Sequence, residues 1–340
     1  LNAWGPAPAV VAAVRAACEA AHIADYPDPI AMAPRRAAAD AWGCPVDAVA
    51  FGAGASELLQ AACTAFVARG DIVVVPAPTY GEYARAARLA GATIRSIPPR
   101  GDGTTLDLAG VARAVRAGGV RMVMLCTPNN PTGERPSPTR VRALADRCHD
   151  AGTLLVLDES YDAFLRTPVG GPSLAGHPAV LHLRSLTKEH ALAGLRVGLA
   201  QGPPALIARL EAHRAPWPTS TPAQAAAVAA FASAAQAHVR DTVARLRRER
   251  VRLAQACTAL GLRPRSGVTH TLLLDVGNAD AARHVLLRDA GVHVRSCASF
   301  GLPHLVRIAA RRPAEGDRLL AALAAVRATA ALHLPSPVDR

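Results

Sequence analysis

Between residues 50 and 210, short apolar runs alternate with Ala-rich stretches, and this rhythm constrains the fold more than any other feature of the chain. The runs at 72–76, 93–97, 121–126, 154–157, 180–183 and 197–201 are too short for helices and are rich in Val, Ile and Leu. Strands separated by helical stretches predict a mainly parallel sheet with helices on both faces. In such sheets ligands bind beyond the carboxyl ends of the strands. The rhythm changes after Pro203-Pro204 and the Pro-rich stretch 216–222. A helical segment over 223–260, bent or broken, is followed by a strand at 271–276, a helix at 280–290, short strands at 292–295 and 305–309, and a last helix from Pro313 to about 330. This part predicts a smaller α+β domain. The expected organisation is an N-terminal segment 1–25 packing with the small domain, a large domain 26–220, a small domain 221–333, and a loose Pro-rich tail 334–340.

Bulk properties narrow the function class. A formal charge of +12 could suit nucleic acid, but the Arg residues are spread along the chain and aromatics make up only 4%. The densest basic run, 245–252, carries an apolar stripe at helical spacing and reads as the solvated face of a helix. The seven cysteines are far apart with no Cys-x-x-Cys pair, which speaks against a metal site or a disulfide framework and suits a cytoplasmic setting. Neither a signal peptide nor a long apolar span is apparent, so no membrane partner is expected.

Lys188 is the single lysine among 38 lysine and arginine residues. In a chain so biased toward Arg, one surviving Lys is either an accident or a position that needs what Arg cannot supply. A guanidinium stays protonated; a lysine amine can lose its proton, attack an aldehyde and form a Schiff base. Ser185 and Thr187 lie just before this amine and Arg196 eight residues after it, and these are suitable ligands for a phosphate dianion. The combination points to pyridoxal 5'-phosphate.

Four more segments stand out, and three of them fall at expected strand ends. Gly52-Ala53-Gly54-Ala55-Ser56 precedes a helical run, so its backbone N–H groups suit phosphate, although a plain turn would read the same. Tyr80, in Pro78-Thr79-Tyr80-Gly81, could stack on a flat ring or merely cap the core. Asn130, in the Pro- and Gly-fixed turn Thr127-Pro128-Asn129-Asn130-Pro131-Thr132-Gly133, can donate to a phenolic oxygen. Asp158, in Leu157-Asp158-Glu159-Ser160-Tyr161, can pair with a pyridinium nitrogen, or it can simply mark an acidic helix start.

Taken in order, these motifs, together with Tyr26-Pro27-Asp28-Pro29, Gly194-Leu195-Arg196-Val197-Gly198 and Val306-Arg307-Ile308, resemble the class I/II aminotransferases of fold type I. The likeness runs over nearly the whole chain and is greatest to the branch holding histidinol-phosphate aminotransferase and threonine-phosphate decarboxylase. The resemblance implies that Lys188 holds the cofactor and shuttles the substrate proton, and that Asp158 pairs with the ring nitrogen. Asn130 and Tyr161 would bond the phenolic oxygen, and Tyr80 would stack on the ring. Ala55, Ser56, Ser185, Thr187 and Arg196 would hold the phosphate, and Tyr26 would reach the cofactor phosphate of a neighbouring subunit in a homodimer. Arg307 would clamp the substrate carboxylate and Arg295 a substrate phosphate. The chain departs from the family pattern at Ala3-Trp4 and at His190.

Three activities are compatible with this reading. The first is a transaminase moving an amino group between an amino acid or phosphorylated amine and a 2-oxo acid. The second is a decarboxylase of a phosphorylated amino acid. The third is a cofactor-binding sensor domain of a transcription regulator, which would need a DNA-binding domain before Tyr26. Transamination is the expectation.

Overall fold

The computed structural model describes residues 1–165, 174–265 and 267–328, so the expected tail 334–340 lies outside the described residues. Seven strands form the larger sheet: β1 (Val49–Gly52), β2 (Ile72–Pro76), β3 (Thr93–Ile97), β4 (Val120–Cys126), β5 (Leu154–Asp158), β6 (Val180–Ser185) and β7 (Gly198–Gln201). Their order is β1-β7-β6-β5-β4-β2-β3, and β7 alone runs against the others. The parallel register pairs Cys126 with Asp158 and Asp158 with Leu183, which brings the carboxyl ends of three strands level.

Burial on both faces explains why β4 and β5 read as apolar runs. On β4, Met122, Met124 and Cys126 pack into the cluster under helices Ala55–Phe66 and Glu82–Leu89, while Val123 and Leu125 pack under helices Leu108–Arg116 and Pro138–Asp150. On β5, Leu154 and Val156 face the first layer and Leu155 and Leu157 the second. Each such aliphatic side chain stabilises the fold by about 1.5–3 kcal/mol on burial.

Strand β1 was not legible as a strand. Its four residues, Val-Ala-Phe-Gly, are all buried, but so short a run has no period to read. The helical segment expected over 223–260 is two helices, Thr221–Phe231 and Ser233–Ala259, broken at Ala232, whose ψ of 146° is extended. The first is capped by Ser220, whose Oγ accepts from the Ala223 N–H at 3.4 Å.

A second, antiparallel sheet of order β10-β11-β9-β8 follows: β8 (Arg263–Arg265), β9 (Thr271–Asp275), β10 (Arg295–Ser296) and β11 (Leu305–Ala309). The Arg-Pro-Arg of β8 lacks strand character, and its proline is tolerated because β8 is an edge. Helices Ser233–Ala259, Ala279–Ala290 and Pro313–Ala328 cover this sheet around Leu246, Leu253, Leu274, Leu286, Val306 and Leu323. Among the described residues no helix is long and apolar enough to cross a membrane, and no group of three or more His, Cys, Asp or Glu side chains could hold a metal ion.

Candidate active site

The carboxyl ends of the parallel strands open into a cleft of about 120 Å³ lined by Ala55, Ser56, Tyr80, Asn130, Asp158, Tyr161, Ser185, Thr187, Lys188 and Arg196. Ten residues singled out in the sequence thus converge from five separate segments. Asp158 ends β5, Ser185 ends β6, and Asn130 and Tyr80 sit in the turns after β4 and β2. Arg196 precedes β7 rather than following a strand. Because β7 is antiparallel, its start lies at the same edge of the sheet as the ends of its neighbours.

One end of the cleft is built by close backbone approach. Gly54 has φ of +84° and begins helix Ala55–Phe66; a Cβ there would lie 2.7 Å from Arg196 Nη2. A Cβ on Gly198 would lie 2.3 Å from the Gly54 carbonyl carbon and 2.4 Å from the Ala55 nitrogen. The loop is braced from behind by Glu57, whose Oε2 accepts from the Ala53 N–H at 3.1 Å. Buried Arg214 grips the same carboxylate, Nε to Oε1 at 2.9 Å and Nη2 to Oε2 at 3.0 Å. Opposite, the Ser185 and Thr187 hydroxyls are 2.6 Å apart and the Thr187 N–H donates to Ser185 Oγ at 3.2 Å.

At the other end, both oxygens of buried Asp158 are held. Oδ1 accepts from the Ser160 N–H at 2.9 Å and Oδ2 from the Tyr83 hydroxyl at 2.6 Å. Tyr83 also meets Tyr80 edge to face, with ring centroids 5.6 Å apart. Burial, Asp158 and Cys126 raise the Tyr83 pKa well above its ordinary value, so its oxygen keeps its proton and donates. Burial likewise pushes Tyr161 up to about 12. Lys188 is shifted down, first by burial and then by Arg196 and Arg307, while Asp158 opposes the shift; a lowered pKa favours the free amine.

A larger cleft of about 550 Å³ shares Lys188 and Tyr161 with the first and extends past Arg295 and Arg307. These two arginines are cross-strand partners on β10 and β11. Arg307 Nη1 donates to Asn130 Oδ1, which leaves the Asn130 amide NH₂ as a donor. The Arg295 guanidinium lies over Phe300 at 5.6 Å and donates to Ser299 Oγ at 2.9 Å. Tyr26 is not in either cleft; it is 81% exposed and stacks on Trp217 at 4.6 Å.

The sequence motifs assign no role to Asn2 or Tyr83 themselves. Asn2 donates from its backbone to the Lys188 carbonyl at 2.9 Å and from Nδ2 to the Glu189 carbonyl at 2.9 Å and to Thr242 Oγ1 at 2.7 Å. It thereby ties the lysine's backbone to the helix Ser233–Ala259. Tyr83 stands three residues after Tyr80, in the first turn of the helix Glu82–Leu89.

These residues fit pyridoxal phosphate on chemistry. The cleft offers one amine, a buried carboxylate with both oxygens fixed, two donors able to reach a phenolic oxygen, and a cradle of hydroxyls, guanidinium and glycine-made space.

The family model for aminotransferase class I and II matches residues 2–323. A histidinol-phosphate aminotransferase of Symbiobacterium thermophilum is 35% identical over 325 residues, covering 95% of this chain and 88% of that protein. One from Stenotrophomonas maltophilia is 36% identical over 312 residues, with 90% and 85% covered. Among solved structures, histidinol-phosphate aminotransferase of Sinorhizobium meliloti in complex with pyridoxal-5'-phosphate superposes with a TM-score of 0.89 at 28% identity, covering 96% of this chain and 89% of that one. An aspartate aminotransferase variant of Thermus thermophilus gives a TM-score of 0.85 at 25% identity, with 95% and 93% covered.

Proposed function

The chain belongs to the class I and II aminotransferases, and from that premise we propose that it moves the amino group of a phosphorylated amine of the histidinol-phosphate kind to a 2-oxo acid. The observation that carries the reading is the convergence of Lys188, Asp158, Asn130, Tyr161 and the Ser185–Thr187–Arg196 cradle in one cleft, with Arg295 and Arg307 paired in the adjoining one. The relatives' names support the donor, and two guanidiniums beside the lysine suit anionic groups on donor and acceptor.

When bound, pyridoxal phosphate supplies an aldehyde carbon that takes up the amino group and a ring that accepts the electron pair left on the donor carbon. The protein's part is binding, orientation and proton movement. Lys188 Nζ would hold the aldehyde carbon and would remove and return the proton at the reacting carbon of the donor. Asp158 would pair with the ring nitrogen, Asn130 and Tyr161 would donate to the phenolic oxygen, and Tyr80 would cover one ring face. The backbone of Ala55, the hydroxyls of Ser56, Ser185 and Thr187, and Arg196 neutralise the phosphate. Arg307 takes the acceptor's carboxylate and Arg295 the donor's phosphate.

The assembly is a homodimer in this reading. Tyr26, Ile23, Ile30 and Trp217 leave apolar surface exposed on one segment pair, and a second copy would cover it and bring Tyr26 to the partner's phosphate site. A monomer retaining full turnover in sedimentation and activity assays would overturn the dimer.

The function is tested by titrating the cofactor-loaded protein with L-glutamate and, separately, with L-histidinol phosphate while following cofactor absorbance. Conversion from the aldehyde form to the amine form by both, with restoration by 2-oxoglutarate, is expected. No conversion by any amine, with carbon dioxide release from threonine phosphate, would replace transamination by decarboxylation.

A further inference from the structure

Tyr83 is a buried, protonated phenol with one charged partner. Its ring is 1% exposed, and its hydroxyl donates to Asp158 Oδ2 at 2.6 Å, a length expected of a charge-assisted O–H to carboxylate bond. The other Asp158 oxygen is occupied by the Ser160 N–H. The titratable and charged groups lining the same cleft are Tyr80, Cys126 on β4, Tyr161 after β5, Lys188 after β6 and Arg196 before β7. The donors in direct contact with the carboxylate are the Ser160 N–H and the Tyr83 hydroxyl.

A carboxyl group facing a pyridine nitrogen has two neutral-sum arrangements: carboxylate with pyridinium, or carboxylic acid with pyridine. A hydrogen bond donated to the carboxylate favours the first. We propose that Tyr83 is a positioning residue whose hydroxyl holds Asp158 ionised and thereby keeps the proton on the ring nitrogen of bound pyridoxal phosphate, while its ring edge fixes Tyr80 against the cofactor face. This inference rests on the cofactor reading above. It assigns to one side chain two separable tasks, since the hydroxyl serves Asp158 and the ring serves Tyr80.

Tyr83→Phe removes the first task and keeps the second. The protein is loaded with pyridoxal phosphate labelled with ¹⁵N in the ring, and the nitrogen chemical shift is followed against pH. In the unaltered protein the nitrogen is expected to stay protonated through neutrality. In Tyr83→Phe its titration midpoint falls, and kcat for the amino donor falls by about 10- to 100-fold with KM little changed, as for other partners that orient a first ligand. In an Asp158→Asn background the same substitution is expected to change neither quantity further. If Tyr83→Phe does not accumulate folded, 3-fluorotyrosine at position 83, a stronger donor of nearly the same shape, is expected to raise the midpoint. An unchanged midpoint in the folded variant overturns the inference alone. Failure of the unaltered protein to take up the cofactor through Lys188 overturns the reading beneath it.

Discussion

Arg307 on β11 of the smaller sheet donates from Nη1 to Oδ1 of Asn130, in the turn after β4 of the larger sheet. One hydrogen bond therefore joins the two sheets across the mouth of the lysine cleft, and it fixes the Asn130 amide so that its nitrogen is the free donor. In the proposed reading an acceptor carboxylate arriving at Arg307 would compete for this guanidinium and so would couple acceptor binding to the orientation of Asn130.

Arg307→Lys keeps the charge but cannot serve Asn130 and a carboxylate together. KM for the 2-oxo acid is expected to rise by about 10- to 100-fold, the range of a lost hydrogen bond to a charged group. Steady-state kinetics with the acceptor varied at saturating donor would show it, and an unchanged acceptor KM would remove Arg307 from the acceptor site.

Lys188→Ala removes the only lysine amine in the chain. Turnover should fall by about 10,000-fold, the upper end of what a positioned general acid–base group supplies. Added small primary amines should recover a measurable part of the rate. Single-turnover absorbance on the loaded variant checks both, and a variant that still converts donor at the native rate would place the proton shuttle elsewhere.

Gly198→Ala places a Cβ against backbone, at 2.3 Å from the Gly54 carbonyl carbon, where no flexible side chain can yield. The Gly54–Ala55 backbone must shift. A loss of about 1–3 kcal/mol in denaturant unfolding is expected from overpacking, together with weaker cofactor retention on dialysis. Cofactor retention equal to that of the unaltered protein would show the Gly54–Gly198 approach to be dispensable.

Glu189, next to the lysine, is fully buried, and burial raises its carboxyl from 4.5 to about 8. Between these values the folded protein holds a proton there that the unfolded chain has released, so this group's contribution to stability falls as pH rises through that window. Glu189→Gln should remove the slope. The variant should match the unaltered protein near pH 4.5 and exceed it by on the order of 5 kcal/mol above pH 8. Urea unfolding across this pH range measures it, and parallel curves for the two proteins would mean that Glu189 is ionised when folded.

Several of the elements and most of the cleft could be read without coordinates, for reasons tied to particular residues. Strand β2 stands where its Val-rich run puts it, because a strand buried on both faces must be apolar throughout. The lone lysine, the Asp158 strand end and the Asn130 turn stand out in the sequence because each is unusual in its setting, and all three line one cleft. By contrast β8, an Arg-Pro-Arg edge, and β1, four residues without a period, carry no local signal; they are strands because a neighbour offers hydrogen bonds.

The sequence by itself determined the α/β class, the single amine and the residues fit to surround it, since composition and strand rhythm are local properties of the chain. Only the tertiary structure decided that β7 runs backwards, which carries Arg196 to the same edge as the strand ends. It alone sets Asn2 against Lys188 across 186 positions, Tyr83 under Asp158, and Arg307 on Asn130. Those contacts join segments distant along the chain, and their existence depends on how sheets and helices pack rather than on any short run of residues.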